Sequence, residues 1–272
     1  MEKLQAALDK ARKTRAAQEE VPTTTPSSLK DTPRSDGPVS DRWAALPALD
    51  LKDKRLVKRR IVTRTAREAA TPFDILRTKA LLQMRKNGWT RLAITSPMPQ
   101  SGKSTMACNL ALALSRQSEL RSMLFDFDLR DPTIASFFDM EPEYGIGEAM
   151  TGEVPFEKQA VRYQDNLIVS MAQREEADPT RILLADETVK RLDTIQEYYK
   201  PDVIIFDLPS VLVNDDTRAF LKNADCALIV ARADKTQFNQ FEVCKREVSE
   251  QTNLLGVVLN AYRYEKRAFL TA

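Results

Sequence analysis

The sequence predicts an α/β fold: a doubly wound, mostly parallel sheet behind a helical and disordered N-terminal extension. Three observations predict it. Six apolar runs of strand length occur after residue 61: RLAITS (91–96), SMLFDFDL (122–129), NLIVSM (166–171), DVIIFDLP (202–209), CALIVARA (226–233) and LLGVVLN (254–260). They are continuous rather than alternating, as strands buried on both faces are. Helical patterns separate most of them, at 73–87, 104–117, 180–199 and 237–251. Alternation of this length builds βαβ units.

The extension reads differently. Residues 2–19 are rich in helix formers, with Leu4, Ala7, Leu8 and Ala11 at helical spacing. That stripe is narrow, so the helix needs a partner to persist. Residues 21–40 cluster Pro, Ser, Thr, Asp and Gly and read as a disordered linker. An apolar stretch, WAALPALDL, follows at 43–51, then the basic run KDKRLVKRR at 52–60. The expected organisation is therefore an extension at 1–60, the α/β domain at 61–265 and a short tail at 266–272.

Charge follows the same division. Residues 1–60 hold 14 Lys/Arg and 9 Asp/Glu, a net of +5, while the remainder holds 27 and 30, a net of −3. A basic lead before an acidic body fits contact with a lipid surface or a partner's acidic face, and fits equally a solvated tail. No nucleic-acid partner is expected. There is no histidine, which removes His-based acid–base catalysis and His-ligated metals. The three cysteines form no C-x-x-C pair, so neither a zinc site nor a disulfide framework is indicated. No run approaches the ~20 apolar residues of a membrane span, and the first residues lack a signal-peptide core. The expected location is cytoplasmic.

Candidate chemistry lies where strands end, since open α/β sheets bind ligands beyond their carboxyl ends. After RLAITS comes PMPQSGKS and then the helical TMACNLALALSRQ. Strand, tight turn and helix are the setting of a phosphate-binding loop, although Pro97 stands where the simplest pattern has its first glycine. The backbone around Gln100, Ser101, Gly102, Lys103, Ser104 and Thr105 would face phosphate, helped by the helix dipole. Lys103 would reach the β and γ phosphates, and the Ser104 hydroxyl would bind Mg²⁺. Asp126 and Asp128 sit two apart near the end of the next apolar run, on one face. Buried carboxylates together demand a cation or a proton. DVIIFDLPS ends in Asp207, the layout of an Asp that orients a Mg²⁺ shell.

These motifs in this order resemble the bacterial tyrosine kinases of capsule and exopolysaccharide assembly. That family is related to deviant phosphate-loop ATPases of chromosome partition and septum placement. FDFDLRDP is similar to the family's I-D-x-D-x-R-x-P, and VIIFDLPSVLVNDD to its I-I-D-x-P-P stretch, with Ser210 at the second Pro. FDILRTKALL, ADPTRILLADETVKRL and LLGVVLNAYR are similar to three further segments, and together they cover roughly 61–265. Family members also carry P-x-x-G-K-[ST] without the first glycine.

The resemblance implies phosphoryl transfer from Mg·ATP, with ATP and Mg²⁺ as cofactors. It implies Lys103, Asp126 and Asp128 as the catalytic set, with Asp126 accepting the proton of an attacking hydroxyl. Ser104, Asp128 and Asp207 would hold the metal, and Asn260 the adenine. It implies a membrane polysaccharide chain-length or export protein as partner, met through the 52–60 run or the N-terminal helix. Ring assembly in the family uses E-x-x-R-x-x-R, and only Arg77 survives of Thr71, Asp74 and Arg77 at those positions. The tyrosine-rich tail of autophosphorylating members is reduced to Tyr262 and Tyr264. Met98 replaces the Lys that partition relatives aim at a dimer partner. A positioning or partition ATPase and a nucleotide-sensing scaffold without kinase activity stay open as alternatives.

Overall fold

The computed structural model describes residues 37–65 and 68–262. Among them, no helix is long and apolar enough to cross a membrane. The first 36 residues, including the helix expected at 2–19, lie outside the described residues, as do Tyr264 and the tail.

Seven strands form one sheet: β1 (Arg91–Thr95), β2 (Ser122–Asp126), β3 (Val161–Tyr163), β4 (Leu167–Ser170), β5 (Val203–Asp207), β6 (Cys226–Arg232) and β7 (Asn253–Asn260). Their order is β3-β4-β2-β5-β1-β6-β7. All neighbours are parallel except β3 with β4. β2, β4, β5 and most of β1 and β6 are buried, which is why their sequences read as unbroken apolar runs.

Eleven helices are described: α1 (Pro38–Ala44), α2 (Asp53–Lys58), α3 (Thr71–Asn87), α4 (Lys103–Ser115), α5 (Ile134–Phe138), α6 (Ile146–Thr151), α7 (Phe156–Gln159), α8 (Pro179–Leu184), α9 (Asp186–Tyr199), α10 (Asp216–Leu221) and α11 (Phe238–Gln251). Successive strand residues point to opposite faces. Leu92 and Ile94 of β1 accordingly pack with Met106, Leu110 and Leu114 of α4 and with Leu81 and Met84 of α3. Ala93 packs on the other face, with Leu192, Ile195 and Tyr199 of α9, Phe220 of α10 and Val248 of α11. Phe127 and Phe206 stack there with ring centroids 5.4 Å apart, and Phe220 meets each edge-on at 4.9 Å. α4 is buried nearly all round, through its apolar run Leu110–Leu114 together with small and polar residues.

The differences from the sequence reading are local. The helix expected at 180–199 is two helices, because Ala185 is extended (φ −64°, ψ 133°). The strand expected to run to Leu129 leaves the sheet after Asp126, and the Phe127 N–H then donates to the Asp207 carbonyl at 2.9 Å. The largest difference concerns residues 37–60, expected in the extension. They pack on the domain. Trp43 is 1% exposed and donates from Nε1 to the Tyr199 carbonyl at 2.8 Å. Leu46, Leu49, Leu51 and Leu56 are buried as well. Ala48 lies beside Arg162 of β3, with Arg162 N donating to Pro47 O and Leu49 N to Arg162 O, both at 2.7 Å. Burial of this many large apolar side chains outweighs the Pro-rich, basic local sequence.

Candidate nucleotide site

β2, β5 and β1 are neighbours, so their carboxyl ends open on one crevice. The loop 96–102 leaves β1 there and turns into α4. Two left-handed residues make the turn, Gln100 (φ +60°) and Gly102 (φ +90°). A Cβ on Gly102 would come within 2.2 Å of Asn260 Nδ2 and displace that side chain from the loop, and φ +90° strains any residue but glycine here. The N–H groups of the first turn of α4 have no partner within the helix, which is the usual anion-binding end.

Side chains brace the loop from three sides. Thr95 Oγ1 donates to Pro209 O at 2.6 Å, and the Ser96 and Ser210 hydroxyls meet at 3.0 Å. Ser101 Oγ donates to Met98 O at 2.7 Å. Arg232 Nη1 donates to Gln100 O at 2.7 Å, and Asn260 Nδ2 to Ser101 O at 2.8 Å. Asn260, expected beside adenine, thus reaches the loop itself from the end of β7. Arg232 and the Ser96–Ser210 pair had no signal in the sequence beyond their places at strand ends.

The three aspartates converge beneath the loop. Asp126 and Asp207 are register partners on adjacent strands, and both are fully buried. Asp128 is nearly so, and its Oδ2 lies 2.5 Å from Lys103 Nζ. Lys103 therefore sits among all three carboxylates. Burial works against its ammonium, but Asp207, Asp128 and Asp126 outweigh that and hold its pKa above the ordinary value. Burial pushes the Asp126 carboxyl well up, and the charge of Asp207 adds to this. Burial also raises Asp207, to about 7, against the pull of Lys103 and of the nearby Ser104 hydroxyl.

Hydrogen bonds leave part of this cluster bare. Asp126 Oδ2 accepts from Ile134 N at 3.1 Å, but its Oδ1 has no partner among the described residues. Neither oxygen of Asp207 has one; Ser104 approaches without hydrogen-bond geometry. Buried carboxylate oxygens are normally satisfied, so three bare ones stand out, although among the described residues no group of three or more acidic, Cys or His side chains is placed to hold a metal ion by itself.

Two other motif residues are engaged elsewhere. Arg130 stands two residues beyond Asp128 in FDFDLRDP but does not pair with it. It binds the buried Asp216 instead, through Nε at 2.5 Å and Nη2 at 3.0 Å. Thr180 Oγ1 also donates to Asp216. Arg77 lies on α3 and donates to the Ala113 carbonyl at 3.0 Å. Its contacts are within this chain, with α4 and with Asp74 of its own helix at 3.5 Å.

Comparison with known proteins agrees with this geometry. The family described as CbiA, the CobQ/CobB/MinD/ParA nucleotide binding domain, matches residues 92–271. The tyrosine-protein kinase YwqD of Bacillus subtilis (strain 168) is 29% identical over 177 residues, covering 64% of this chain and 73% of YwqD. The putative tyrosine-protein kinase EpsB of Ralstonia nicotianae is 27% identical over 199 residues, covering 70% of this chain. This chain spans 26% of the length of EpsB. The solved kinase domain of the Escherichia coli tyrosine kinase ETK superposes with a TM-score of 0.66 at 24% identity, over 74% of this chain and 81% of that one. A family match over most of the folded residues, on a fold whose phosphate loop and aspartates meet at the strand ends, makes this chain a member of the CobQ/CobB/MinD/ParA nucleotide-binding domain family.

Proposed function

We propose that the chain is an ATP-dependent, tyrosine-kinase-like protein of capsule or exopolysaccharide assembly, working with a membrane chain-length or export protein. The observation that carries this reading is the meeting of Lys103, Asp126, Asp128 and Asp207 under the loop, with three carboxylate oxygens bare. Those oxygens suit Mg²⁺, which takes one or two carboxylates and completes its shell with water and phosphate oxygens. Ser104, Asp128 and Asp207 would hold it. The bound ion would supply charge neutralisation at the phosphates. Gln100, Ser101, Gly102 and Thr105 would cradle the phosphates, and Lys103 would exchange Asp128 for them. Asp126 would accept the proton of an attacking tyrosine or water hydroxyl. Asn260 would sit at the adenine side. The relatives YwqD and EpsB, named as tyrosine-protein kinases, support the reaction class.

The basic run supports a peripheral contact with the anionic inner face of a membrane, beside the partner. Lys52, Lys54, Arg55, Lys58, Arg59 and Arg60 are exposed, while Leu51, Leu56 and Ile61 anchor the run in the domain. A homo-oligomer would need a surface other than Arg77.

A second reading has an observation of its own. Asp126 is fully buried and capped by the Ile134 N–H, which suits a scaffold that binds nucleotide without transferring phosphate. Phosphotyrosine mass mapping separates the two. The protein is incubated with Mg·ATP, with and without the cytoplasmic segment of its membrane partner, and Lys103→Met is the control. Phosphate on Tyr262 or Tyr264 that vanishes in the control is the expected result. Nucleotide binding with no phosphotyrosine favours the scaffold, and no nucleotide binding sinks both.

A further inference from the structure

Residues 37–63 cross from one face of the sheet to the other. Trp43 packs edge-on to Tyr199 of α9 on one face, residues 47–49 line the outer side of β3, and residues 60–63 end on α4 of the other face. This last contact is a polar knot inside an otherwise apolar layer. Asn109, fully buried on α4, stands at its centre.

The Asn109 carboxamide is used completely. Its Nδ2 donates to Arg60 O at 3.0 Å and to Thr105 O at 2.8 Å. Its Oδ1 accepts from Val62 N at 2.8 Å and faces the Thr63 hydroxyl at 3.2 Å. The Thr63 hydroxyl also reaches the Asn109 carbonyl at 2.6 Å. Thr63 is fully buried too. Arg60 holds φ +63°, a conformation a non-glycine residue keeps only where its surroundings fix it. Thr105 belongs to the proposed phosphate cradle, so one side chain grips both that cradle and the strap. An apolar residue would fill the same space without the obligation: a satisfied buried network is rigid, and a half-satisfied one is costly.

We infer that Asn109 is a positioning residue for the nucleotide site, coupling residues 60–63 to the first turn of α4. The inference rests on the nucleotide-binding reading of that site. Strap docking and nucleotide occupancy then reinforce one another, and the reinforcement is reciprocal. The exposed cations of α2 lie just before the knot, so whatever engages them bears on the same segment. Nucleotide would in turn tighten the strap.

Hydrogen exchange of the whole chain, with and without Mg·ADP, tests this. In the wild type, Mg·ADP is expected to slow exchange in 97–105 and also in 56–65. Thr63→Val keeps the volume and leaves α4 unchanged. It is expected to keep the protection of 97–105, to lose the nucleotide-dependent gain in 56–65, and to weaken Mg·ADP by about fivefold. A purely structural role would raise exchange in 56–65 equally with and without nucleotide. The inference is overturned if wild-type 56–65 does not respond while 97–105 does, or if folded Thr63→Val binds with wild-type affinity. Absence of protection at 97–105 in the wild type is a different failure: it removes the nucleotide reading and this inference with it. The wild-type comparison stands even if the variant does not fold.

Discussion

The two ends of the same sheet treat their carboxylates in opposite ways. At the amino end, Asp225 Oδ2 accepts from Thr90 N at 2.7 Å and Arg91 N at 2.8 Å, and Asp202 Oδ2 accepts from Arg121 N at 2.8 Å. Arg91 is held in turn by Gln196 at 2.7 Å and Asp193 at 2.6 Å. At the carboxyl end, Asp126 and Asp207 are buried with bare oxygens, around a single lysine. Strand ends supply the same raw material at both places. What differs is satisfaction: the amino end is finished by the protein itself, and the carboxyl end is left for something to complete.

Substitutions at each end sharpen that contrast. The largest effect is expected from Gly102→Val. The new side chain meets the Asn260 amide and must also adopt φ +90°, so nucleotide binding, read by calorimetry, should fall below detection. Asp207→Asn should come next, and in the unusual direction of stabilising the metal- and nucleotide-free protein. The Asp207 carboxyl is raised in the folded state, so the native protein binds a proton there that the unfolded chain has released. Its penalty therefore grows as pH rises from about 4 to about 7 and stays constant above that. Thermal unfolding should show the variant more stable by roughly 2 kcal/mol at pH 8, and by less at pH 5. Equal or lower stability at pH 8 would show that the carboxylate is satisfied after all. Nucleotide binding with Mg²⁺ should weaken in the same variant.

The amino end should behave in reverse. Asp225→Asn leaves two backbone N–H groups with a poorer acceptor, and should cost about 1–3 kcal/mol in denaturant unfolding with nucleotide affinity unchanged. Asp193→Ala, at an exposed ion pair, should cost less than about 1 kcal/mol by the same measurement. A change of nucleotide affinity in either variant would break the division between the two ends.

What the sequence made legible follows from where the information sits. Gly102-Lys103-Ser104, Asp126, Asp128 and Asp207 each follow or end a strand, so recognising the strands was enough to bring them to one crevice. The partner of Arg130, Asp216, is 86 residues away and buried at the start of α10, so the pair leaves no local trace in the sequence. Trp43, Leu46, Leu49, Leu51 and Leu56 were placed in the extension rather than in the core for another reason. They follow neither a helical nor a strand period, because that stretch wraps over several elements and belongs to none. β3 is only three residues long and lacks an apolar run. Asn109 looked like one polar residue in a helical pattern, and its meaning lies wholly in what it touches.

The placement of residues 47–49 has a practical side. A bare sheet margin is a template for any passing strand, from another copy or from an unfolded neighbour. Here that margin is occupied from within by a stretch that precedes the domain suggested by sequence similarity. A recombinant fragment cut at residue 61, which sequence motifs alone would recommend, would strip the seal and leave an apolar hollow where Trp43 sat. Poor solubility of such a fragment would then report on the cut, not on the protein.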